Sequence, residues 1–185
     1  MEQILDARSF PTHYAALGFL AEQPMHGYEL RRRLTEGLGA LWRIASSQLY
    51  SVLHRLEDQG WVEAHVESNH TRPPKIVYSM TSDGRRALED WLSQPVAHLR
   101  EVRVELLAKL YFLRRHAPDA VADLIDAQIR SLEETEAGLA ARERLNSDDE
   151  ELGEIAVSFR RKRMRGTIEW LRENKQRLAD RKENL

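Results

Sequence analysis

Hydrophobic residues recur at helical spacing three times in the first sixty residues of the chain. The first two patterns cover residues 13–21 and about 27–38, and the helix-breaking segment EQPMHG separates them. The third pattern has an N-cap serine, Ser46 or Ser47, and its C-terminal signal is Gly60. Its apolar stripe at i, i+3, i+4 and i+7 consists of Leu49, Val52, Leu53 and Leu56. These patterns predict three consecutive helices.

The period then changes from helical to two. WVEAHVE and KIVYSM alternate between apolar and polar residues, and the proline-bearing SNHTRPP between them predicts a hairpin with a long tip. TSDGRRALEDWL predicts a fourth helix, with Thr81 or Ser82 as its cap. Pro95 should interrupt a helix and marks a domain boundary. The fold class is therefore mainly α with a small β-hairpin, and residues 1–95 form an N-terminal winged helix-turn-helix.

Residues 96–185 contain long, charged helical patterns that are almost free of glycine. Pro118 is well placed as the first residue of one of them. Long helices with a single apolar seam, in so small a domain, should bury that seam against a second copy of the chain. We therefore predict a C-terminal long-helix dimerisation domain. The predicted dimer contacts are Leu106, Leu110, Leu113, Leu152, Ile155, Phe159, Ile168 and Leu171.

Composition limits the classes of function. The chain has no cysteine, which excludes disulfides and thiolate metal sites. AALGFLA is too short to span a bilayer and no signal-peptide pattern precedes it, so we expect a cytoplasmic protein without a membrane partner. The net charge is −2, with 10 basic and 12 acidic residues up to Pro95 and 18 of each beyond it. A DNA-binding hypothesis must therefore depend on where the charges lie.

The polar face of the third helix carries side chains suited to DNA bases. Opposite the leucine stripe lie Ser47, Ser51, His54 and Asp58, and they are flanked by Gln48, Tyr50 and Arg55. Hydroxyls, an amide and a guanidinium can reach base edges in a major groove, and helix-turn-helix proteins read bases with the N-terminal part of this helix. The alternative is an ordinary exposed helix face that lacks lysine.

Two further segments supply positive charge. Arg31 and Arg32 lie on the second helix, which crosses the DNA backbone in this motif. Arg72, Lys75 and His70 lie around the wing tip, where they are placed to enter a minor groove. The alternatives are a solvated charge run and a plain hairpin loop.

Three segments together resemble the PadR family of bacterial transcriptional regulators. They are AALGFLAEQPMHGYELRRRL, SSQLYSVLHRLEDQGWV and RPPKIVYSMTSDGRRALEDWL, which cover most of residues 13–92. Residues 96–185 resemble, in length more than in motif, the virulence-activator alpha type of C-terminal helical module. The resemblance implies a dimeric winged-helix regulator, usually a repressor, that a small effector releases from DNA.

The resemblance also implies roles for individual residues. It places Tyr14 on the first helix as a DNA contact, and Arg72 and Lys75 on the wing. On the recognition helix it places Ser46, Ser47, Gln48, Tyr50, Ser51, His54 and Arg55. The basic pair that often precedes the second wing strand is here Lys75–Ile76, which implies a weaker contact between wing and phosphate. His26 and Tyr28 of HGYEL are interpreted as structural residues that open and pack the second helix.

Other readings of the sequence are less well supported. Trp42, Trp61 and Trp91 either pack in the core or line an effector cavity. The chain has no H-E-x-x-H pair, phosphate loop or G-x-S-x-G turn, so we predict no enzyme and no cofactor. A metal site would depend on His65 and His70 alone. We predict a homodimer that binds a pseudo-palindromic double-stranded DNA operator, and the alternative is a winged helix that binds only protein.

Overall fold

A computed structural model describes residues 12–41, 45–69, 72–142 and 150–180 of the chain. The chain divides into two compact units. The first comprises the described part of residues 1–92 together with Arg103–Lys109, and the second comprises Ser93–Val102 and the described part of residues 110–185.

The first unit has the element order of a winged helix-turn-helix. Its elements are α1 (Thr12–Leu20), β1 (Met25–His26), α2 (Gly27–Leu38), α3 (Ser46–Asp58), β2 (Val62–Asn69), β3 (Arg72–Met80) and α4 (Ser82–Ser93). The leucine stripe predicted for the third helix is buried throughout. Leu30, Leu34 and Leu38 of α2 are buried as well, and α1, α2 and α3 contact one another. The predicted fold class is confirmed.

The sheet is larger than the sequence predicted. β1 pairs antiparallel with β3 on the side opposite β2, with Met25 facing Tyr78 and His26 facing Val77. β2 and β3 extend to Asn69 and from Arg72, with a register shift between Glu67 and Asn69, so the hairpin tip is shorter than predicted. The strand can include prolines 73 and 74 because β1 reaches only Val77, which leaves β3 there as an edge strand, where proline is tolerated.

The observed caps of α3 and α4 agree only in part with the caps predicted from the sequence. Ala45, and not a serine, is the N-cap of α3, and no side chain caps it. At the other end Gly60 has φ of 70°, its N–H donates to the Glu57 carbonyl, and the Trp61 N–H donates to the Leu56 carbonyl. This is a Schellman motif, as the glycine predicted. Thr81 caps α4, since its Oγ1 accepts from the Gly84 N–H at 3.1 Å.

An aromatic cluster with a buried lysine lies in the first unit. Tyr14 stacks on Trp91 with ring centroids 4.8 Å apart, and the Trp91 indole N–H donates to Glu105 Oε1 at 2.8 Å. Lys109 is only 2% exposed, with Nζ 3.4 Å from the same carboxylate oxygen and 5.0 Å from the Trp91 ring centroid. Trp61 joins the stack beside Tyr14, which agrees with core packing for these two tryptophans. Trp42 lies outside the described residues.

The elements beyond α4 are helical. α5 (Leu99–Glu101) continues through a π-helical segment, Val102–Leu106, into α6 (Leu107–His116). A 3₁₀ turn begins at Pro118, as predicted, and leads into α7 (Val121–Arg142), while α8 spans Glu150–Ala179. The spacing of apolar residues in the sequence did not predict the π-helical segment.

α7 and α8 form an antiparallel pair in the second unit. Ion pairs join Asp126 to Lys175, Glu133 to Arg172 and Glu136 to Arg165, so one helix runs against the other. Met164, Ile168 and Leu171 on α8 are buried, as are Leu124, Ile125, Ile129 and Leu132 on α7. Buried Gln128 accepts from the Val96 N–H at 2.7 Å and donates to the Val96 carbonyl at 3.2 Å.

The predicted dimer contacts fall into two groups. Five are buried within the chain itself, at no more than 5% exposure: Leu106, Leu110, Leu113, Ile168 and Leu171. Leu152, Ile155 and Phe159 are 62%, 58% and 61% exposed. The interpretation of one continuous seam is therefore corrected, because the burial of the first group needs no partner chain.

Candidate nucleic-acid interface

One face of α3 is covered by protein and the other faces solvent. Its apolar side chains are buried, whereas the side chains at Ser46, Ser47, Gln48, Tyr50, Ser51, His54 and Arg55 are all exposed. Acidic residues appear only near the end of the helix, at Glu57 and Asp58. The face available to a ligand is therefore polar and free of acid over its first three turns.

The first turn of α3 is tied to α2. The Arg31 guanidinium donates to Ser46 Oγ at 3.1 Å, and its carbon lies 5.8 Å from the centroid of the Tyr28 ring. The hydroxyl of Ser46 thus joins the start of α3 to α2. Arg31 serves here to position α3, in addition to the phosphate contact predicted for it.

Local hydrogen bonds hold part of the polar face. Ser51 Oγ donates to the Ser47 carbonyl at 3.0 Å, and Arg55 Nε donates to the Ser51 carbonyl at 3.4 Å. His54 Nδ1 lies 4.0 Å from Glu57 Oε2, which is a weak contact between exposed groups. A hydroxyl that donates to its own helix keeps its lone pairs, so Ser51 can still accept a bond from a base.

Arg32 and Arg33 are paired with carboxylates. Arg32 Nη2 donates to both oxygens of Glu29, at 2.9 and 3.0 Å, and Arg33 donates to Glu29 and Glu22. Hydrogen bonds from the two arginines lower the pKa of Glu29, and the bond to Glu29 raises the pKa of Arg32. A DNA phosphate at Arg32 would have to compete with Glu29, which weakens the phosphate contact predicted there.

Tyr14 is held by its aromatic neighbours. Its ring stacks on Trp91 and lies 6.0 Å from Trp61, and burial together with the Glu105 and Asp90 carboxylates raises its pKa. Packing therefore accounts for the position of this ring. The DNA contact that the family resemblance implies for Tyr14 stays a prediction.

The wing presents one described cation. Lys75 is exposed on β3 and faces Glu67 of β2 across the hairpin. Arg72 begins β3, but its side chain lies outside the described residues, as does His70. Val66 and Ile76 face each other farther along the hairpin, and both are exposed.

Two features of the site had no clear signal in the sequence. Tyr28, interpreted from the sequence as a packing residue, is 68% exposed beside Arg31. The ring of Tyr50 lies against Gly27, where a Cβ would be 2.8 Å from Tyr50 Cε1. An exposed tyrosine at the start of a helix resembles a packed one in sequence, since both satisfy the same helical period.

Two other kinds of site are absent from the part of the chain that the structure describes. Among the described residues, no group of three or more histidine, aspartate and glutamate side chains is arranged to hold a metal ion. Within the same residues, no helix combines the length and hydropathy needed to cross a bilayer.

Comparison with known proteins finds a family model that matches part of the first unit. Residues 16–90 match the model of the transcriptional regulator PadR-like family. These residues are therefore similar to that family. The match covers α2, α3 and the sheet, together with most of α1 and α4.

Two curated relatives extend this likeness. The chain is 37% identical over 90 residues to the probable transcriptional regulator Rv1176c of Mycobacterium tuberculosis, covering 49% of this chain and 48% of the relative. It is 30% identical over 117 residues to the negative transcriptional regulator PadR of Bacillus subtilis, covering 63% and 64%. The chain thus spans about half to just under two thirds of these relatives. The names of both relatives describe transcriptional regulators and no enzyme.

Solved structures of the B. subtilis regulator are also similar. Its complex with operator DNA aligns at a TM-score of 0.46 and 26% identity, covering 90% of this chain and 98% of that one. Its complex with p-coumaric acid aligns at a TM-score of 0.40 and 24% identity, covering 91% and 98%.

Proposed function

We propose that the chain is a sequence-specific DNA-binding transcriptional regulator that acts as a homodimer in the cytoplasm. The observation that carries the proposal is the exposed polar face of α3 inside the residues that match the PadR-like family. The leucine stripe is buried and fixes the rotation of the helix about its axis, so the polar side chains on the other face of α3 stay exposed to solvent.

The residues of the interface have two roles in this proposal. Ser47, Gln48, Ser51, His54 and Arg55 read bases, because their short or planar polar groups can approach base edges. The phosphate anchors are Arg31, Arg32, Arg72 and Lys75, with Ser46, Tyr14 and Tyr50 as further contacts. Among the described anchors, Arg31 and Lys75 matter most, because Arg32 is already bound to Glu29.

Dimerisation is proposed to use the exposed part of α8. Leu152, Ile155 and Phe159 are spaced three and four residues apart and therefore lie on one side of the helix. Trp170, also exposed, is eleven residues beyond Phe159 and close to the same side. Large apolar side chains in a row on an exposed helix are typical of a contact with another chain.

A regulatory role follows from the relatives. The B. subtilis relative is a negative regulator and has been solved with operator DNA and with p-coumaric acid. We propose that this chain is likewise a repressor of a pseudo-palindromic operator, and that a small effector releases it. We also propose that residues 96–185 are a module of the virulence-activator alpha type.

A mobility-shift assay on the DNA flanking the protein's own coding region, repeated over a salt series, tests the function. A dimer that neutralises about 6–10 phosphates loses roughly 10³–10⁵ in affinity between about 50 and 200 mM salt. Lys75→Ala and Arg31→Ala should flatten this dependence, while Arg85→Ala, on the exposed side of α4, should not. A protein that shifts no DNA at the lowest salt would be a protein-binding module instead.

A further inference from the structure

Two of the three consecutive arginines on α2 share one carboxylate. Glu29 accepts from Arg32 Nη2 through both of its oxygens, at 2.9 and 3.0 Å, and its Oε1 also accepts from Arg33 Nε at 3.3 Å. Arg33 donates in addition to Glu22. These four side chains together carry no net charge, so the arginine run attracts phosphates less than its sequence suggests.

The two arginines differ in how firmly they are held. The Arg33 side chain is 27% exposed and bound by two carboxylates, one of which, on Glu22, lies beyond the end of α1. Arg32 is 52% exposed, and besides Glu29 its only carboxylate contact among the described residues is Glu36, at 4.0 Å. Arg32 is therefore the arginine that can exchange its carboxylate for another anion.

Glu29 borders the surface on which DNA is proposed to lie. It lines an open cleft between the start of α2, α3 and the wing, together with Tyr28, Tyr50 and Lys75, and it is the only acid among the described residues that line this cleft. Tyr50 and Lys75 are contacts in the proposed interface. A phosphate near them would meet the negative charge of Glu29 and would find Arg32 already occupied.

An exchange of partners at Arg32 would leave Glu29 paired. When a phosphate takes Arg32, the bond from Arg33 to Glu29 can remain, so no carboxylate is left without a cation. The exchange replaces one charge-assisted pair by another and therefore gains less affinity than a free arginine would. Phosphate contacts carry no sequence information, so weakening one of them lowers the affinity for every DNA alike.

We propose that Glu29 limits the affinity of the interface for DNA by holding Arg32 until a phosphate displaces it. This inference rests on the proposed function and assigns a role in DNA binding to a carboxylate rather than to a cation. Removing the charge of Glu29 should therefore tighten DNA binding. A damaged fold would weaken binding, so the expected gain cannot come from misfolding.

Glu29→Gln in the full-length protein tests the inference, because it removes the charge and keeps the length of the side chain. Anisotropy titrations should show about tenfold tighter binding to a footprinted operator and to a scrambled duplex alike, since a dimer contains two such pairs. The slope of log affinity against log salt should become steeper by about two. Glu29→Ala should show the same gain. Unchanged or weaker binding by the folded variants would overturn the inference.

Glu36→Gln is the matched control, because it removes the same charge from the same side of α2 and its contact with Arg32 is only at 4.0 Å. It should tighten binding by less than about threefold. Equal gains from Glu29→Gln and Glu36→Gln would show a general effect of charge and would contradict the role of the pair.

The gain should also depend on Arg32. In an Arg32→Gln background, Glu29→Gln should tighten binding by less than about threefold. A full gain without Arg32 would show that Glu29 acts by repulsion alone, which contradicts the inference. If neither the wild type nor Glu29→Gln binds any duplex at the lowest salt, the proposed function falls and this inference falls with it. Equal affinities of the two proteins would overturn this inference alone.

Discussion

The ring of Tyr50 on α3 rests directly on Gly27, the first residue of α2, where a Cβ would lie 2.8 Å from Tyr50 Cε1 and 3.1 Å from its hydroxyl. Side-chain carbons do not approach this closely, so any larger residue at this position must displace the tyrosine. The position of the Tyr50 ring in the proposed interface thus depends on the absence of a Cβ at Gly27.

Gly27→Ala should therefore weaken DNA binding more than it weakens the fold. The tyrosine ring is partly exposed and can move aside, so the unfolding free energy should change by less than about 1 kcal/mol. Affinity for DNA should fall about tenfold, as for the loss of one contact. Fluorescence anisotropy and urea unfolding measure the two quantities.

Gly138→Ala on α7 is the matched control, because a Cβ there meets nothing within 4 Å. In a helix interior a change from glycine to alanine raises the free energy of unfolding by about 0.5–1 kcal/mol. Adding Tyr50→Ala to Gly27→Ala removes the displaced ring, so the effects of the two substitutions on the DNA-binding free energy should be clearly non-additive. Simple additivity would show that the close approach has no effect on DNA binding.

His13 should make stability depend on pH. Burial and the Arg55 guanidinium lower the pKa of His13 from 6.5 to about 4, and its Nε2 is buried without a hydrogen-bond partner among the described residues. The folded state therefore prefers the neutral ring, and the unfolded chain takes up the proton first as pH falls. The contribution of His13 to the free energy of unfolding is therefore fully present above about pH 6.5. It falls by at most about 3 kcal/mol as the pH drops towards 4.

Urea unfolding at pH 7, 6, 5 and 4 measures this contribution when the wild type is compared with His13→Phe. The variant keeps an aromatic ring beside Tyr14 but has no proton to bind. The difference between the two proteins should grow steadily as pH falls below about 6.5. A constant difference over this range would show that His13 titrates normally in the folded state.

Phe159 and Leu171 on α8 should respond differently to substitution. Phe159 is exposed, so Phe159→Glu should weaken dimerisation at least about tenfold and leave the chain folded. Leu171 is fully buried, so Leu171→Ala should cost about 2–5 kcal/mol of unfolding free energy. Analytical ultracentrifugation and thermal unfolding distinguish the two effects.

Ser158→Glu is the control for charge at the exposed end of α8, since Ser158 is exposed next to Phe159 on another side of the helix. It should leave the association constant unchanged. If Ser158→Glu and Phe159→Glu weaken association equally, the exposed apolar row is not the contact surface.

The sequence predicted well what depends on neighbouring residues. The stripe from Leu49 to Leu56, the left-handed Gly60 and the Thr81 cap each follow from interactions within one or two helical turns. The exposure of the polar side chains of α3 follows from the same stripe, because burying one side of a helix leaves the other free. Their contacts with DNA stay a prediction.

The sequence could not predict what depends on distant residues. β1 has two residues and exists because Met25 and His26 meet β3 about fifty positions later. Ser46 or Ser47 was predicted to cap α3, but Ala45 is the N-cap, and the Ser46 hydroxyl is bound by Arg31 on another helix. The apolar residues of α8 have a single period, and only the pairing with α7 separates Ile168 and Leu171, which are buried, from Phe159, which is not.

The most direct test of the proposed interface measures the affinity of one double variant for two different DNA duplexes. Anisotropy titrations would measure Gln48→Ala/His54→Ala binding to a footprinted operator and to a scrambled duplex, with Glu89→Ala on the exposed side of α4 as control. The interface proposed for α3 predicts a loss of roughly 30-fold or more on the operator and less than about threefold on the scrambled duplex. Unchanged affinity for the operator, or an equal loss on both duplexes, would contradict it.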